Sequence, residues 1–521
     1  MFQSKKALPV EGSLCASTLF VLALLFIFIV ATRWPLAPRY LYYFDSANFA
    51  LSLEHFNPAL HQPQPPGYPL YVLFIRAIHL FVGTAEKVLL ISGLLAAFAA
   101  VVLILALARD LFGHAAGVLA ATLLASDPTF WFGGITNEIR VFLAAGVLAV
   151  AFLAWRALTR PDHPGWLYGA YAALGIASGF RPELGPLLLP LLAWIWWKSS
   201  RSLRSLAISA AALAACTLPW LAAVARIVGG PRRFFQICTS YTDDQFSGSS
   251  LLFGASGGAA WHMFASAAVW TFIGALVWLW AVPLTTRRIF TANRRHAVHF
   301  LASGFLPVFL FSAVIHIGDP DQALASVAFV SVLGGGVLAA LRLHWTTRHL
   351  YVAAALVLAA HTIMFFHPPS HLARASSYKA VAAVDRVTRD AIDSVRALSG
   401  SGPLTIVHYG SPVASRQLSY YFPDAYVVVL PGPGHPANSA VEVFHRHATF
   451  ASPAGLIVEL PDGPTTLVCV RSTQPKNRAI WAKIGPVYYR KWADRRPVTI
   501  GEYTLIGTPT VTTVSASASS S

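Results

Sequence analysis

The chain has 521 residues, 56% of them hydrophobic and only 12% charged, with 38 basic against 22 acidic side chains for a net charge of +16. A soluble globular protein carries about 25% charged residues, so composition excludes a soluble enzyme of this length. The basic surplus sits in short clusters between apolar runs of membrane-spanning length, which assigns it to lipid topology and not to nucleic acid.

In chain order, a span needs about 20 mostly apolar residues. Such runs lie near 14–32, 87–108, 113–128, 138–157, 165–180, 183–198, 204–228, 262–283, 298–315, 322–342 and 349–366. They predict a mainly α, polytopic membrane protein of about eleven transmembrane helices. Lys5 and Lys6 precede the first run and no small-residue cleavage site follows it, so it reads as a retained signal anchor with a cytoplasmic N-terminus. Segment 68–82 is apolar, but counting it as a span would invert every later loop. The basic turns with Arg156 and Arg160, Lys198, Arg201 and Arg204, Arg287, Arg288, Arg294 and Arg295, and Arg342 and Arg348 would then all lie outside. Residues 68–82 are therefore placed as a helix at the outer interface, within a first outer loop of 33–86.

That loop is long for a polytopic protein. It reads Tyr42-Tyr43-Phe44-Asp45-Ser46, then Glu54-His55-Phe56-Asn57-Pro58, then His61-Gln62-Pro63-Gln64-Pro65-Pro66-Gly67-Tyr68-Pro69. Phe49, Leu53 and Phe56 share a face at i, i+4 and i+7, which predicts an amphipathic surface helix over 46–56, stopped by Pro58. Asp45 at its start is either the helix N-cap or a carboxylate in a partly desolvated cleft, fixed to take a proton from an acceptor hydroxyl. Glu54, nine positions on, falls on the opposite face.

Further along, the long outer loop 228–260 holds Arg232, Arg233, Tyr241, Asp243 and Asp244 among glycines and serines, a composition suited to a lid. Past the last span the composition changes, and 370–508 reads as a soluble α/β domain on the outer face. Strands are expected at 404–408, 425–430, 455–460 and 465–470. Ser411 is expected as an N-cap, with Pro412 at the first position of a helix running to Tyr421. The Ser/Thr-rich tail 509–521 reads as disordered. The cysteines Cys15, Cys216, Cys238 and Cys469 make no disulfide framework; Cys238 and Cys469 are a pair that topology lets meet, and two free thiols is the plainer reading.

The residues then carry a resemblance. A first span, an outer loop holding Asp45, and Pro65-Pro66-Gly67-Tyr68-Pro69 opening an interfacial helix resemble the GT-C superfamily of integral-membrane glycosyltransferases. Within it they resemble the protein O-mannosyltransferase and aminoarabinose-transferase-like group. Ser178-Gly179-Phe180-Arg181-Pro182-Glu183 and His316-Ile317-Gly318-Asp319-Pro320 fit the same pattern, and the resemblance covers about residues 10–345 of a GT-C-like membrane domain, 1–369. The chain departs from it where Ser46 follows Asp45 and where Gln64 stands before the Pro-Pro pair; many members have a second acid and a basic residue there.

The resemblance implies an inverting glycosyltransferase at the outer face of a membrane, a bacterial inner membrane being the natural setting. Nucleotide sugars do not cross membranes, so the donor partner would be a polyprenyl-phosphate sugar lying in the bilayer, and the acceptor a hydroxyl on a protein, lipid or glycan. Attack on the anomeric carbon passes through an oxocarbenium-like state with charge gathering on the phosphate. It needs a base, assigned to Asp45, and cations at outer helix ends, for which Arg140, Arg181, His316 and, more weakly, Arg76 are the candidates. His61, Glu54, Tyr68, Tyr241 and Asp243 are candidates to line the substrate.

Each residue has a plainer role: Arg181 pairing with Glu183, Arg140 with Glu138, His316 ending a helix, Asp319 capping one. A divalent metal needs converging carboxylates, which Asp45 with Asp243 or Asp244 supply only if their loop folds back. A reaction with no cofactor and no metal is the expectation. The competing readings are a polytopic transporter or flippase, against which most charges sit at helix ends, and a silent scaffold presenting the α/β domain.

Overall fold

The computed structural model describes residues 16–136, 138–248, 250–289, 291–342, 344–399, 404–409, 415–430, 441–445, 448–452, 457–460, 465–471, 488–492, 498–500 and 503–507. The expected Ser411 cap, Pro412 and the 509–521 tail fall outside them. Helices follow in the order α1 (Ala16–Arg33), α2 (Phe44–Ser52), α3 (Pro69–His79), α4 (Ala85–Phe112), α5 (His114–Ser126), α6 (Pro128–Thr136), α7 (Val141–Thr159), α8 (Gly165–Phe180), α9 (Leu184–Ser199) and α10 (Leu203–Ile227). They continue as α11 (Pro231–Phe246), α12 (Gly257–Phe272), α13 (Val282–Ile289), α14 (Ala292–Leu310), α15 (Leu324–Ala340), α16 (Thr347–Phe366), α17 (His371–Arg374), α18 (Tyr378–Leu398) and α19 (Ser415–Tyr421).

Among the described residues six helices are long and apolar enough to cross a membrane, and the bent pair α5 and α6 makes a seventh. The expected count of about eleven is therefore not reached on length and composition; α8, α9 and α12 are helical but have 16 residues each. Two runs differ in kind. The 113–128 run continues through a 52° bend into α6. Asp127 makes the bend: its carboxylate accepts from Thr129 N at 2.9 Å and Phe130 N at 3.1 Å, and Pro128 fills a position needing no donor. The 262–283 run is not one helix. α12 stops at Phe272 and two 3₁₀ turns follow. The Gly274 carbonyl, freed from helical pairing, accepts from His361 Nε2 of α16 at 2.9 Å.

The bundle is packed through small residues. A Cβ at Gly335 of α15 would lie 2.6 Å from the Ala116 carbonyl oxygen and the Ala120 side chain of α5, so these backbones touch directly. Without a hydrophobic force between helices in lipid, such close approach is what binds them. Exposed apolar side chains, including Phe20, Ile27, Leu218, Trp280 and Leu356, face outward as a lipid-facing surface does.

The first loop folds as two short helices and a turn. The helix expected over 46–56 forms as α2, starting two residues earlier and ending at Ser52, and its buried Ala47, Phe49 and Ala50 pack with Tyr71, Val72 and Ile75 of α3. Gly67, at φ +103° and with a virtual Cβ 2.6 Å from Pro58 Cγ, makes the turn before α3. α3 lies within the helix expected over 68–82, and Leu73, Leu80 and Phe81 on it and just past it are exposed.

After α18 come β1 (Leu404–Tyr409), β2 (Tyr426–Leu430), β3 (Val441–His445), β4 (Ala448–Ser452), β5 (Ile457–Leu460), β6 (Thr465–Arg471), β7 (Tyr488–Trp492), β8 (Val498–Ile500) and β9 (Tyr503–Gly507). Six form a sheet ordered β4-β3-β2-β1-β6-β7, with β1 parallel to β2 and β6 and the outer pairs antiparallel. A second sheet is ordered β5-β9-β8. Parallel β1 and β2 need a crossover, and α19 supplies it. Ile406, Val427 and Leu418 of these elements are buried with Ile392 and Val395 of α18.

Candidate functional site

The site begins at α2. Tyr43 is its N-cap residue and makes no side-chain cap, and Asp45 stands within the first turn. The capping role open to Asp45 from sequence is thus not the one it takes; its carboxylate faces Arg140 instead. Ser46, the next residue, donates from Oγ to the Thr136 carbonyl of α6 at 3.2 Å and fixes the turn.

Arg140 lies in the 3₁₀ turn that opens α7. Its NH2 group is 3.4 Å from Asp45 Oδ2, with the arginine side chain 9% and the aspartate 23% exposed. The cation is therefore locked in and the carboxylate keeps a face on open space. Burial pulls the Arg140 guanidinium toward losing its proton, but Asp321, Asp45 and Asp319 outweigh it and hold its pKa above the ordinary value. The side chain of Glu138, its expected partner, is outside the described residues.

Asp319 and Asp321 come from the turn Pro320–Ala323 between α14 and α15. Gln322 Oε1 shapes that turn by accepting from Gly318 N at 2.6 Å and Asp319 N at 3.4 Å. Burial raises the pKa of the Asp319 carboxyl, and Arg140 and then Tyr43 hold it back. Asp321 is fully buried, and among the described residues neither carboxyl oxygen has a hydrogen-bond partner. It fits because Gly133 of α6 has no side chain: a Cβ there would sit 2.9 Å from Asp321 Cβ.

Arg181 ends α8 and donates from Nε and NH2 to Glu183 Oε1, so the ion pair expected as its plainer role is formed. Its guanidinium also lies 5.3 Å over the Tyr68 ring, which approaches from the start of α3. Burial pushes the Tyr68 hydroxyl up to about 12, with Arg181 opposing it. The 228–260 loop, read as a lid from composition, contains a regular helix, α11. It carries Tyr241 to within 5.7 Å of the His61 ring. Burial raises the Tyr241 hydroxyl, and Asp45 and Tyr68 raise it further. Phe246 at the end of α11 packs 5.3 Å from His316. Burial and the charge of Arg140 lower His316 to about 4. That lowering favours the neutral ring at pH 7, which can donate one hydrogen bond.

Asp45, His61, Tyr68, Arg140, Arg181, Tyr241 and His316 are therefore brought to one end of the bundle. Three candidates are placed elsewhere. Arg76 donates to the Ser52 carbonyl from Nε at 3.0 Å and NH2 at 2.7 Å, so it ties α3 to the end of α2 and does not point to the cluster. Glu54 is exposed and its charge bears on Tyr420. Asp243 is exposed on α11, and the side chain of Asp244 lies outside the described residues. Sequence reasoning missed Tyr43 and Asp321; the Asp-Pro-Asp spacing at the start of a span was the available signal. Among the described residues no group of three or more His, Cys, Asp or Glu side chains is arranged to hold a metal ion. Cys238 is a free thiol.

Chemically, this is a carboxylate oriented by a buried guanidinium, with phenol, imidazole and a second arginine around it. Residues 62–222 match the family model of dolichyl-phosphate-mannose-protein mannosyltransferase. The fold is similar to that of ArnT from Cupriavidus metallidurans bound to undecaprenyl phosphate, at a TM-score of 0.55 and 14% identity over 87% of this chain and 92% of that one. The apo state of the same enzyme aligns at a TM-score of 0.53 and 15% identity over 78% and 85% of the two chains. No curated protein matches the sequence. The resemblance to the GT-C superfamily is thus supported by a family model that begins at residue 62, in the second half of the first loop, and ends at 222, and by a similar fold over 87% of the chain.

Proposed function

We propose that this chain is a membrane glycosyltransferase that moves a sugar from a polyprenyl-phosphate-linked donor to an acceptor hydroxyl on the extracytoplasmic face, with inversion. The observation that carries the reading is the Asp45 and Arg140 pair, in which a partly exposed carboxylate faces a buried cation. The GT-C fold, shared with an enzyme whose structure holds undecaprenyl phosphate, supports a lipid-phosphate donor.

In the reaction, the acceptor oxygen attacks the anomeric carbon opposite the phosphate. Its proton passes to Asp45, the bond between the anomeric carbon and the phosphate oxygen breaks, and polyprenyl phosphate leaves with the electron pair. Arg140 holds Asp45 in line. Arg181 neutralises the departing phosphate in this reading, a role supported by its position over the Tyr68 ring. A phosphate leaves without an acid, so no step is routed through a metal.

The test is Asp45→Asn in membranes given radiolabelled polyprenyl-phosphate sugars. We expect label transfer to fall at least about 1,000-fold while the variant inserts and elutes as wild type, within the range general-base loss and misoriented binding together produce. Full transfer by that variant overturns the assignment. A wild-type protein that moves labelled lipid between leaflets and makes no labelled product supports the flippase reading instead.

A further inference from the structure

Arg416 of α19 is fully buried, yet it belongs to the soluble domain and not to the membrane bundle. Its Nε donates to Asn48 Oδ1 of α2 at 2.8 Å. Its NH2 donates to the Leu60 carbonyl at 3.2 Å and the His61 carbonyl at 3.5 Å. The guanidinium lies 4.7 Å over the Phe444 ring of β3. One planar cation therefore joins three things: the helix carrying Asp45, the turn carrying His61, and the sheet of the soluble domain.

Asn48 is three positions after Asp45, so both stand on the same face of α2 one turn apart. Asn48 in turn donates from Nδ2 to Gln64 Oε1 at 3.4 Å. The backbone entering α2 is held by the same short helix: Gln417 Nε2 donates to the Tyr42 carbonyl at 3.1 Å. Tyr421 Oη accepts from Leu41 N at 2.9 Å and donates to Glu86 Oε1 at 2.6 Å. A guanidinium is costly to bury unless its donors are used, and its rigid fork suits a fixed set of oxygens better than an ammonium does.

We infer that Arg416 is a positioning residue for the transfer reaction: it holds α2 and the 58–62 turn at the spacing the donor and acceptor require, making the soluble domain part of the catalytic unit. This rests on the function proposed above, with Asp45 as base. A misplacement of about 1 Å at such a distance is enough for a 100-fold loss of rate.

The test uses the full chain in nanodiscs and a radiolabelled polyprenyl-phosphate sugar that the wild type turns over. Arg416→Gln is expected to lower kcat about 100-fold with donor KM within twofold, and Arg416→Lys to restore only part of it. Asn48→Ala cuts the same contact from the other side and is expected to lower kcat likewise. The double variant is expected to be no worse than Arg416→Gln alone, since the two act as one unit. A purely structural role would reduce the fraction of protein that binds polyprenyl phosphate and leave kcat per binding site unchanged. Should Arg416→Gln fail to fold, Asn48→Ala carries the test. Wild-type turnover in these variants beside an inactive Asp45→Asn overturns the positioning role alone. A fully active Asp45→Asn overturns the function beneath it and this role together.

Discussion

At the scale of single residues, Arg140 is the centre of charge. Three carboxylates, Asp45, Asp319 and Asp321, bear on one guanidinium and raise its pKa against a burial that would lower it. Its positive field is felt by His316, which burial and Arg140 hold at about 4 against an ordinary value near 6.5. The sign of the linkage follows. Between pH 6.5 and 4 the unfolded chain takes up a proton on this imidazole and the native protein does not, so native stability is full above about pH 6.5 and declines as pH falls toward 4. Asp319, with its pKa raised, acts in the opposite direction, so the variant comparison and not the raw curve is the measurement. We expect His316→Gln to be less acid-sensitive than the wild type, the gap in thermal midpoint between pH 7 and pH 4.5 narrowing in purified protein. A variant gap as wide as the wild type's would show that this histidine is not held neutral.

At the scale of elements, the helices that carry the site are positioned by what their neighbours lack. Gly133 is one turn from the end of α6, and a methyl group there would meet Asp321 Cβ and Leu324 Cδ1, each at 2.9 Å. Leu324 begins α15 and cannot yield easily, so the turn with Asp319 and Asp321 must move away from Arg140. Overpacking of this kind costs about 1–3 kcal/mol. We expect Gly133→Ala to lower kcat by an order of magnitude or more with a modest drop in thermal midpoint. Gly169→Ala in α8, whose nearest neighbour would be Leu153 at 4.0 Å, is expected to be neutral in both. Equal behaviour of the two variants would remove the steric argument.

The same elements show what the sequence could and could not reveal. Hydrophobic runs mark where α4, α7, α10, α15 and α16 lie because an all-round apolar helix has no other environment. They could not mark the break after Phe272, which depends on a histidine 87 positions later reaching the Gly274 carbonyl. Nor could they find α11, whose polar residues and flanking glycines read as loop although its inward face meets His61 and His316. Asp45 was legible because it stands at the start of the amphipathic helix in the long outer loop, whereas Glu54 of the same loop falls on the opposite face. Asp321 was not, since an acid after Asp-Pro looks like helix-start chemistry until Gly133 is seen to admit it.

At the scale of the whole molecule, the site residues and the basic turns lie at opposite ends of the bundle. α7 starts beside Arg140 and runs 19 residues, which at about 1.5 Å per residue puts Arg156 about 24 Å and Arg160 about 30 Å away. There Arg156 pairs with Asp110 at the far end of α4. α8 returns to the site at Arg181, α9 leaves it for Lys198, and α15 leaves Asp319 for Arg342. Arg288 donates to the Ala340 carbonyl at 2.7 Å and so belongs to the same far end. Because the fold alone segregates these groups, the positive-inside rule needs no choice of which segments to count: the basic end is read as cytoplasmic and the Asp45 end as external. The reading is tested in intact spheroplasts with a membrane-impermeant maleimide, in a background lacking Cys15, Cys216, Cys238 and Cys469. Ser247, exposed after α11, and Ser200, exposed after α9, report the two ends. We expect Ser247→Cys to label in intact cells and Ser200→Cys only after lysis. The reverse pattern would put Asp45 in the cytosol, where nucleotide sugars are available, and would remove the reason for a lipid-borne donor.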